Sequence, residues 1–394
     1  MGTPAKPERL LTPGFVRITT SALAYFIAIG VLAPVLPLYV EERLHGSGAS
    51  VGMAVGAFAV SAALLRPLVG RIGDEHGRKV LVLGGGFIAG VSVLGYTLAT
   101  NLPVLIGMRL LTGVGEAAMF VGAATAVQDL SPPARRGEAT SYFSVAVYGG
   151  LAIGPLLGEG VRTQWGVHAV WFVSTAMCFV AVIVGLGMPT VRPAPVPDDV
   201  VIRRRFLHPA ALRPGVILAL STTAFAGFSA FVPLYVKQVG LTSSGAVFAE
   251  YAFAVLAVRV FFARLPDRLG SVRGASLAMS LQSAGLIVMC AWHSATGLYV
   301  STFVYSMGVS LLYPSLFPLV VDNAPEHERS QAIATFTLFF DISQGFGAFV
   351  LGVVVTLSSE RWAFGTAGLL SLAGLALLHS TTRRAQGVEP AVTS

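Results

Sequence analysis

Apolar runs of about 20 residues, the length of a helix that crosses a bilayer, recur roughly every 30 residues along the chain. They predict twelve spans, at 15–40, 49–70, 79–99, 103–127, 138–159, 166–188, 214–237, 245–264, 273–292, 294–321, 331–357 and 362–380. One sustained polar stretch, Pro189 to Arg213, separates the sixth span from the seventh. It opens on Pro189, Pro193, Pro195 and Pro197 and carries Arg203, Arg204 and Arg205 near its end, a composition that reads as a linker. The expected organisation is a six-helix bundle over 1–188, a cytoplasmic linker over 189–213 and a second six-helix bundle over 214–394.

Composition narrows the class. Only 11% of the 394 residues are charged and 54% are hydrophobic, against roughly 25% charged in an ordinary soluble domain. That excludes a water-soluble enzyme, because so much apolar surface costs about 25 cal/mol per Å² in water. The net charge of +7 is a matter of topology. Of 26 Lys and Arg, 19 fall in the termini, the linker and the loops on their side, and four fall in loops on the other side. Three more, Arg66, Arg109 and Arg259, lie inside spans. The asymmetry predicts both termini in the cytoplasm of a multi-pass inner (plasma) membrane protein. Lys6, Arg9 and Arg17 precede the first apolar run without a small-residue cleavage site, so that run reads as a retained helix.

Other chemistry is thin. Cys178 and Cys290 sit in apolar runs as small buried hydrophobes. His45, His168, His293 and His327 are too scattered for a zinc site, so no metal is expected. Gly84-Gly85-Gly86 follows no strand, and no GxxxxGK[ST] occurs to cradle phosphates. No nucleophile, base and oxyanion grouping points to an enzyme.

Repetition changes the picture most. An offset of 193 relates Arg66 to Arg259, Asp74 to Asp267, Gly77 to Gly270, Gly115 to Gly308, Asp129 to Asp322, Arg136 to Arg329 and Gly154 to Gly347. Pro-Leu-Tyr-Val stands at 37–40 and again at 233–236. Two parallel six-helix repeats are the signature of a transporter architecture whose halves rock about a central site. The predicted fold is an all-α membrane protein of twelve transmembrane helices in two pseudo-symmetric bundles.

Charges inside spans are expensive and mark function. In the fourth span Arg109, Gly113 and Glu116 return to nearly one face, a stripe about 10 Å long at 3.6 residues per turn. Glu116 falls near mid-membrane, where desolvation raises proton affinity and a nearby Arg109 lowers it. A proton carrier and a static Arg-Glu brace both fit. Asp341, about ten residues into the eleventh span with Gln344 one turn on, titrates, binds a cation or caps a polar contact. Glu250 reads as a rim charge that snorkels to water.

The segment Gly70-Arg71-Ile72-Gly73-Asp74-Glu75-His76-Gly77-Arg78-Lys79 resembles the loop 2-3 signature of the major facilitator superfamily, with a weaker second copy over Ala263 to Gly270. Arg109 to Glu116 is similar to that family's helix-4 motif. Gly150-Leu151-Ala152-Ile153-Gly154-Pro155-Leu156-Leu157-Gly158 is similar to the Gly-Pro signature of its proton antiporters, with Glu159 in place of the last glycine. The resemblance implies a conformational latch of Gly70, Asp74, Gly77, Arg78, Asp129 and Asp267, with Arg78 pairing Asp129. It implies an antiporter-like motif of Gly150, Gly154, Pro155 and Gly158, and cavity walls from helices 1, 4, 7 and 10 that include Tyr25, Phe120, Phe225, Phe228, Tyr305 and Tyr313. Proton coupling would fall to Glu116, Asp341 and Arg109. The expected function is export of a small lipophilic or amphipathic molecule by proton antiport. A sugar or metabolite exporter or a symporter stays open, since the first span carries no acid, and so, as a different class, does a non-transporting lipid-handling or sensing membrane protein. The expected partners are a small-molecule substrate and membrane lipids, with no nucleic acid. The expected state is a monomer without cofactor beyond the coupling proton.

Overall fold

A computed structural model describes residues 10–132, 135–190, 207–262, 265–324 and 329–386. Lys6, Arg9, His327 and the linker arginines Arg203, Arg204 and Arg205 lie outside them, as do the side chains of Asp74 and Asp267. Every regular element among the described residues is helical: α1 (Pro13–Leu32), α2 (Val35–Glu42), α3 (Gly48–His76), α4 (Arg78–Gly95), α5 (Leu102–Asp129), α6 (Arg136–Trp165) and α7 (Val167–Leu186). Then follow α8 (Pro209–Gln238), α9 (Gly245–Phe261), α10 (Leu265–Leu269), α11 (Ser271–Ala291), α12 (Ala295–Val321), α13 (Arg329–Leu357) and α14 (Glu360–Gln386). Eleven segments are long and apolar enough to cross a membrane, α1 and α2 together forming the first. The 17-residue α9 is the twelfth. At 1.5 Å per residue it reaches about 25 Å, near the lower limit of a span.

Several boundaries differ from the hydropathy reading: α3, α6 and α14 run about six residues further, to His76, Trp165 and Gln386, and α8 starts five residues earlier, at Pro209. The first span breaks after Leu32, where Pro34 precedes α2 and withholds a backbone N–H. The third span closes as a 3-10 turn, Tyr96–Leu98. The eighth stops at Phe261, and the short α10 follows. Helix starts are built from side chains: Thr12 accepts from the Phe15 N–H at 3.2 Å, Asn101 from Val104 at 3.0 Å and Ser294 from Gly297 at 3.0 Å. Gly77 and Gly270, repeat partners in sequence, both precede a helix with left-handed backbone, at φ 90° and 76°. A side chain there would be strained, which explains the glycine in both copies of the loop motif.

The chain divides into two compact units. One comprises Met1–Gly46, Met53–Val200 and Ser243–Phe253; the other comprises Ser47–Gly52, Val201–Thr242 and Ala254–Ser394. In the first, α1 packs on α6 and α7, and α4 packs on α5 and α7. In the second, α8 packs on α13 and α14, and α11 packs on α12 and α14. The pairing is the same after the repeat offset.

Small residues make the contacts. A Cβ on Gly154 would stand 2.6 Å from the Gly30 Cα, and one on Gly115 would stand 2.7 Å from the Gly85 carbonyl oxygen. Gly86 faces Val182 in the same way, so the triple glycine is where α4 receives α5 and α7. Around these crossings lie Phe15, Ile18, Tyr25, Val82, Met119 and Cys178 in the first unit and Ile217, Leu218, Met279, Leu312 and Phe336 in the second, all buried.

Replacing Gly154 by leucine is expected to destabilise the detergent-solubilised protein by about 1–3 kcal/mol or more, the range of forced overpacking. Leucine at Gly107, where a Cβ meets nothing within 4 Å, is expected to change stability by less than about 0.5 kcal/mol. Thermal denaturation of the two variants checks the contrast; equal melting shifts would refute it.

Candidate functional site

Three charges of the first unit, Arg66, Arg109 and Glu116, lie on α3 and α5. Arg109, 4% exposed, donates from Nε to the Ala54 carbonyl at 2.8 Å and from a terminal nitrogen to the Val55 carbonyl at 2.9 Å. Its other nitrogen reaches the Tyr96 hydroxyl at 3.4 Å, and the guanidinium lies 4.5 Å from the Phe58 ring centroid. Carbonyls already bonded within a helix keep a second lone pair, so α3 can accept this cation without unwinding. Close approach makes it possible: Gly113 meets the Phe58 carbonyl and Ser61, and Ser61 donates to the Leu110 carbonyl at 2.7 Å. Behind Arg109, the Thr112 hydroxyl contacts those of Ser92 and Tyr96, each at 2.7 Å.

Glu116 is held differently. Its Oε2 lies 3.8 Å from a terminal nitrogen of Arg66, with the two side chains 12% and 19% exposed, and the Arg66 guanidinium lies 5.2 Å from the Phe120 ring. That oxygen is enclosed and has no hydrogen-bond partner among the described residues. The expected neighbour of Glu116 on its own helix, Arg109, is engaged by Ala54, Val55 and Tyr96 instead. The acid's counter-charge comes from α3. Arg66 was visible as an intramembrane charge with a repeat partner, but its pairing depends on a helix crossing that periodicity does not report.

In the second unit Asp341 is buried on α13, 3% exposed. Next to it the Ser343 and Thr222 hydroxyls meet at 2.6 Å, and Gln344 donates to the Thr222 carbonyl at 3.1 Å, fixing α13 to α8. Neither acid has an acidic repeat partner: Val309 stands at the position related to Glu116, and Tyr148 at that related to Asp341. Glu250 departs from the snorkelling expectation. It is half-buried, and its Oε2 is enclosed without a hydrogen-bond partner among the described residues.

The aromatic candidates separate into two kinds. Tyr25, Phe228 and Tyr305 are fully enclosed, Phe228 and Tyr305 with ring centroids 5.4 Å apart. Phe120, Phe225 and Tyr313 are half-buried. Phe120 sits between Phe26 and Phe143 beneath Arg66, while Tyr313 stacks on Phe317 at 5.7 Å.

The family profile described as Major Facilitator Superfamily matches residues 18–265 and 239–393. The chain belongs to the major facilitator superfamily. A Salmonella typhimurium (strain LT2) protein named "Uncharacterized MFS-type transporter STM4428" is 30% identical over 389 residues, 97% of this chain and all of that one. The Escherichia coli (strain K12) "Uncharacterized MFS-type transporter YhhS" is 25% identical over 96% of this chain and 95% of its own. Among solved structures, a bacterial homologue of the human lysosomal transporter Spinster in an inward-facing, unoccupied conformation aligns with TM-score 0.78 at 14% identity, over 96% and 98% of the two chains. The human organic anion transporter MFSD10 aligns with TM-score 0.71 at 19% identity, over 95% and 100%. These likenesses carry the fold. Family membership makes the chain a membrane-spanning transport protein and not an enzyme.

The superfamily motifs can now be placed. Arg78, 8% exposed, donates from Nε to the Asp129 carboxylate at 3.2 Å, so these two residues of α4 and α5 meet as the resemblance implies. Gly70 has open space around it. The antiporter-like glycines form one face against α1: a Cβ on Gly150 would lie 2.6 Å from the Phe26 Cβ, Gly154 crosses Gly30, and Gly158 meets the Val31 carbonyl. Pro155 lies inside α6 on this stretch.

Arg66→Met and Glu116→Met are each expected to lower stability by about 1–3 kcal/mol, because each removes one member of a largely enclosed ion pair. The double variant is expected to recover part of the loss, with a coupling of about 1 kcal/mol or more. A thermal double-mutant cycle measures it, and strictly additive losses would show that the two charges do not act as a pair.

Proposed function

We propose that this superfamily member is a secondary active transporter that exports a small lipophilic or amphipathic organic molecule in exchange for protons, through alternating access, with Glu116 as the proton carrier. The contrast between two arginines of α3 and α5 carries the reading. Arg109 has two backbone acceptors and a hydroxyl; the Arg66 contact to Glu116 is a 3.8 Å charge contact to an otherwise unbonded oxygen. A proton arriving on that oxygen removes the attraction while breaking no hydrogen bond to it. A neutral Glu116 then leaves Arg66 on the Phe120 face, and the altered charge balance biases one conformation over another.

The membrane potential contributes about 2.3 kcal/mol per charge per 100 mV to a proton moved through this path. Asp341, buried on α13, is the second candidate carrier. The few charges and the half-buried rings Phe120, Phe225 and Tyr313 suit an amphipathic molecule better than a sugar, which asks for many amide and carboxylate partners. The Lys and Arg distribution supports cytoplasmic termini and a bacterial inner-membrane location. The working unit is a monomer in contact with lipid, without cofactor or metal.

Reconstituted vesicles loaded with a pH-sensitive dye test the reading. Among a panel of amphipathic compounds, transported ones are expected to move protons in the opposite direction, and Glu116→Gln is expected to abolish that proton flux while the protein stays folded. Proton movement unchanged in Glu116→Gln would remove Glu116 from the mechanism; movement in the same direction as substrate would overturn antiport.

A further inference from the structure

The 193-residue offset brings out a difference at the helix ends that lie away from the chain termini. There the repeat relates Gly52 to Gly245, Pro155 to Ala348 and Glu159 to Gly352. Each set forms a seam inside one unit. In the second unit, the start of α3 lies on the end of α13. Gly48 and Gly52 approach the carbonyls of Gly352 and Ala348, and the Ala49 N–H donates to Thr356 at 2.9 Å. Backbone, small residues and the Val355 and Thr356 side chains meet there.

In the first unit, the start of α9 lies on the end of α6. A Cβ on Gly245 would stand 3.3 Å from the Pro155 carbonyl oxygen and 3.5 Å from the Glu159 Cβ. In place of a glycine this seam carries a carboxylate, only 6% exposed. Its Oε1 takes a bond of 2.6 Å from Arg162, one turn on along α6, while its Oε2 has no hydrogen-bond partner among the described residues. The Ser244 hydroxyl, 2% exposed at the foot of α9, has none either. Two enclosed oxygens without hydrogen-bond partners, one on each side of the seam, mark a closed state that is not at its lowest energy.

We propose that the Glu159–Arg162 ion pair makes the α6–α9 seam the more readily opened of the two, the glycine seam of α3 and α13 being the more tightly packed. Opening wets the Glu159 carboxylate and the Ser244 hydroxyl, which offsets the loss of packing. The glycine seam gains nothing of the kind. Arg162 keeps the acid neutralised while closed; without it a buried carboxylate would force the seam apart.

The proposal rests on transport by alternating access but needs neither a substrate nor a proton gradient, so it is read separately from proton coupling. In a chain with Cys178 and Cys290 replaced by alanine, Ser244→Cys is labelled with a membrane-impermeant maleimide applied to either side of the membrane. R162Q is expected to raise the labelling rate about tenfold, because one partner of a buried pair is gone. E159G, which installs the residue of the related seam, is expected to lower it to a similar degree. Labelling of Ala49→Cys on the glycine seam is expected to stay within twofold of its parent in both. Should R162Q fail to fold, E159G carries the test alone. Ser244→Cys labelling that is undetectable in the parent, unchanged in E159G, or raised by it would overturn the proposal.

Discussion

Lipid is as apolar as leucine, so hydrophobic burial cannot hold these helices to one another, and close backbone approach has to do so. The rest of the structure depends on that constraint. Gly154 over Gly30, Gly115 over Gly85 and Gly113 over Phe58 bring helix axes near enough for side chains of one helix to reach the backbone of the next. Hydroxyls then use the short distance: Ser21 donates to the Ala181 carbonyl at 2.7 Å, Ser174 to Ala28 at 2.8 Å and Ser283 to Gly368 at 2.9 Å. Without the glycines these bonds have no geometry, and the intramembrane arginines have no acceptors.

Two copies of one backbone plan carry different chemistry. The polar group of Ser92, Tyr96, Arg109 and Thr112 occupies positions that the repeat fills with Gly285, Met289, Thr302 and Tyr305. A contact between hydroxyls in the first unit thus becomes, in the second, a Tyr305 backbone packed on Gly285. Helix pairing survives this exchange because it is set by small residues, such as Gly115 and Gly308, that both copies retain. Charge is therefore free to differ between the copies, and the acids Glu116, Glu159 and Asp341 each occur in one copy alone.

Much of the fold was legible in the chain, because a bilayer demands apolar runs of set length and a duplicated sequence announces its register. Boundaries were less so. Pro34 sits between apolar residues that hydropathy cannot divide, and α9 ends at Phe261 amid further apolar side chains. The site was readable in its members and not in its pairings. Glu116 and Arg66 stand out as charges in apolar helices, but 50 residues of sequence do not reveal which face of α3 meets α5. Glu159 and Arg162 share one turn of one helix, so their pairing was within reach of spacing. What hid it was burial: only the start of α9 shows that this turn is covered.

Arg109 also bears on how the chain enters the membrane. An arginine at the centre of a lone helix costs about 2.5–3.5 kcal/mol to insert, and its main acceptors here are the Ala54 and Val55 carbonyls of α3 and the hydroxyl of Tyr96. All three precede it in the chain and are synthesised first. The groups that accept this arginine are thus already present when the fourth span emerges, and none of them has to come from the second half of the chain.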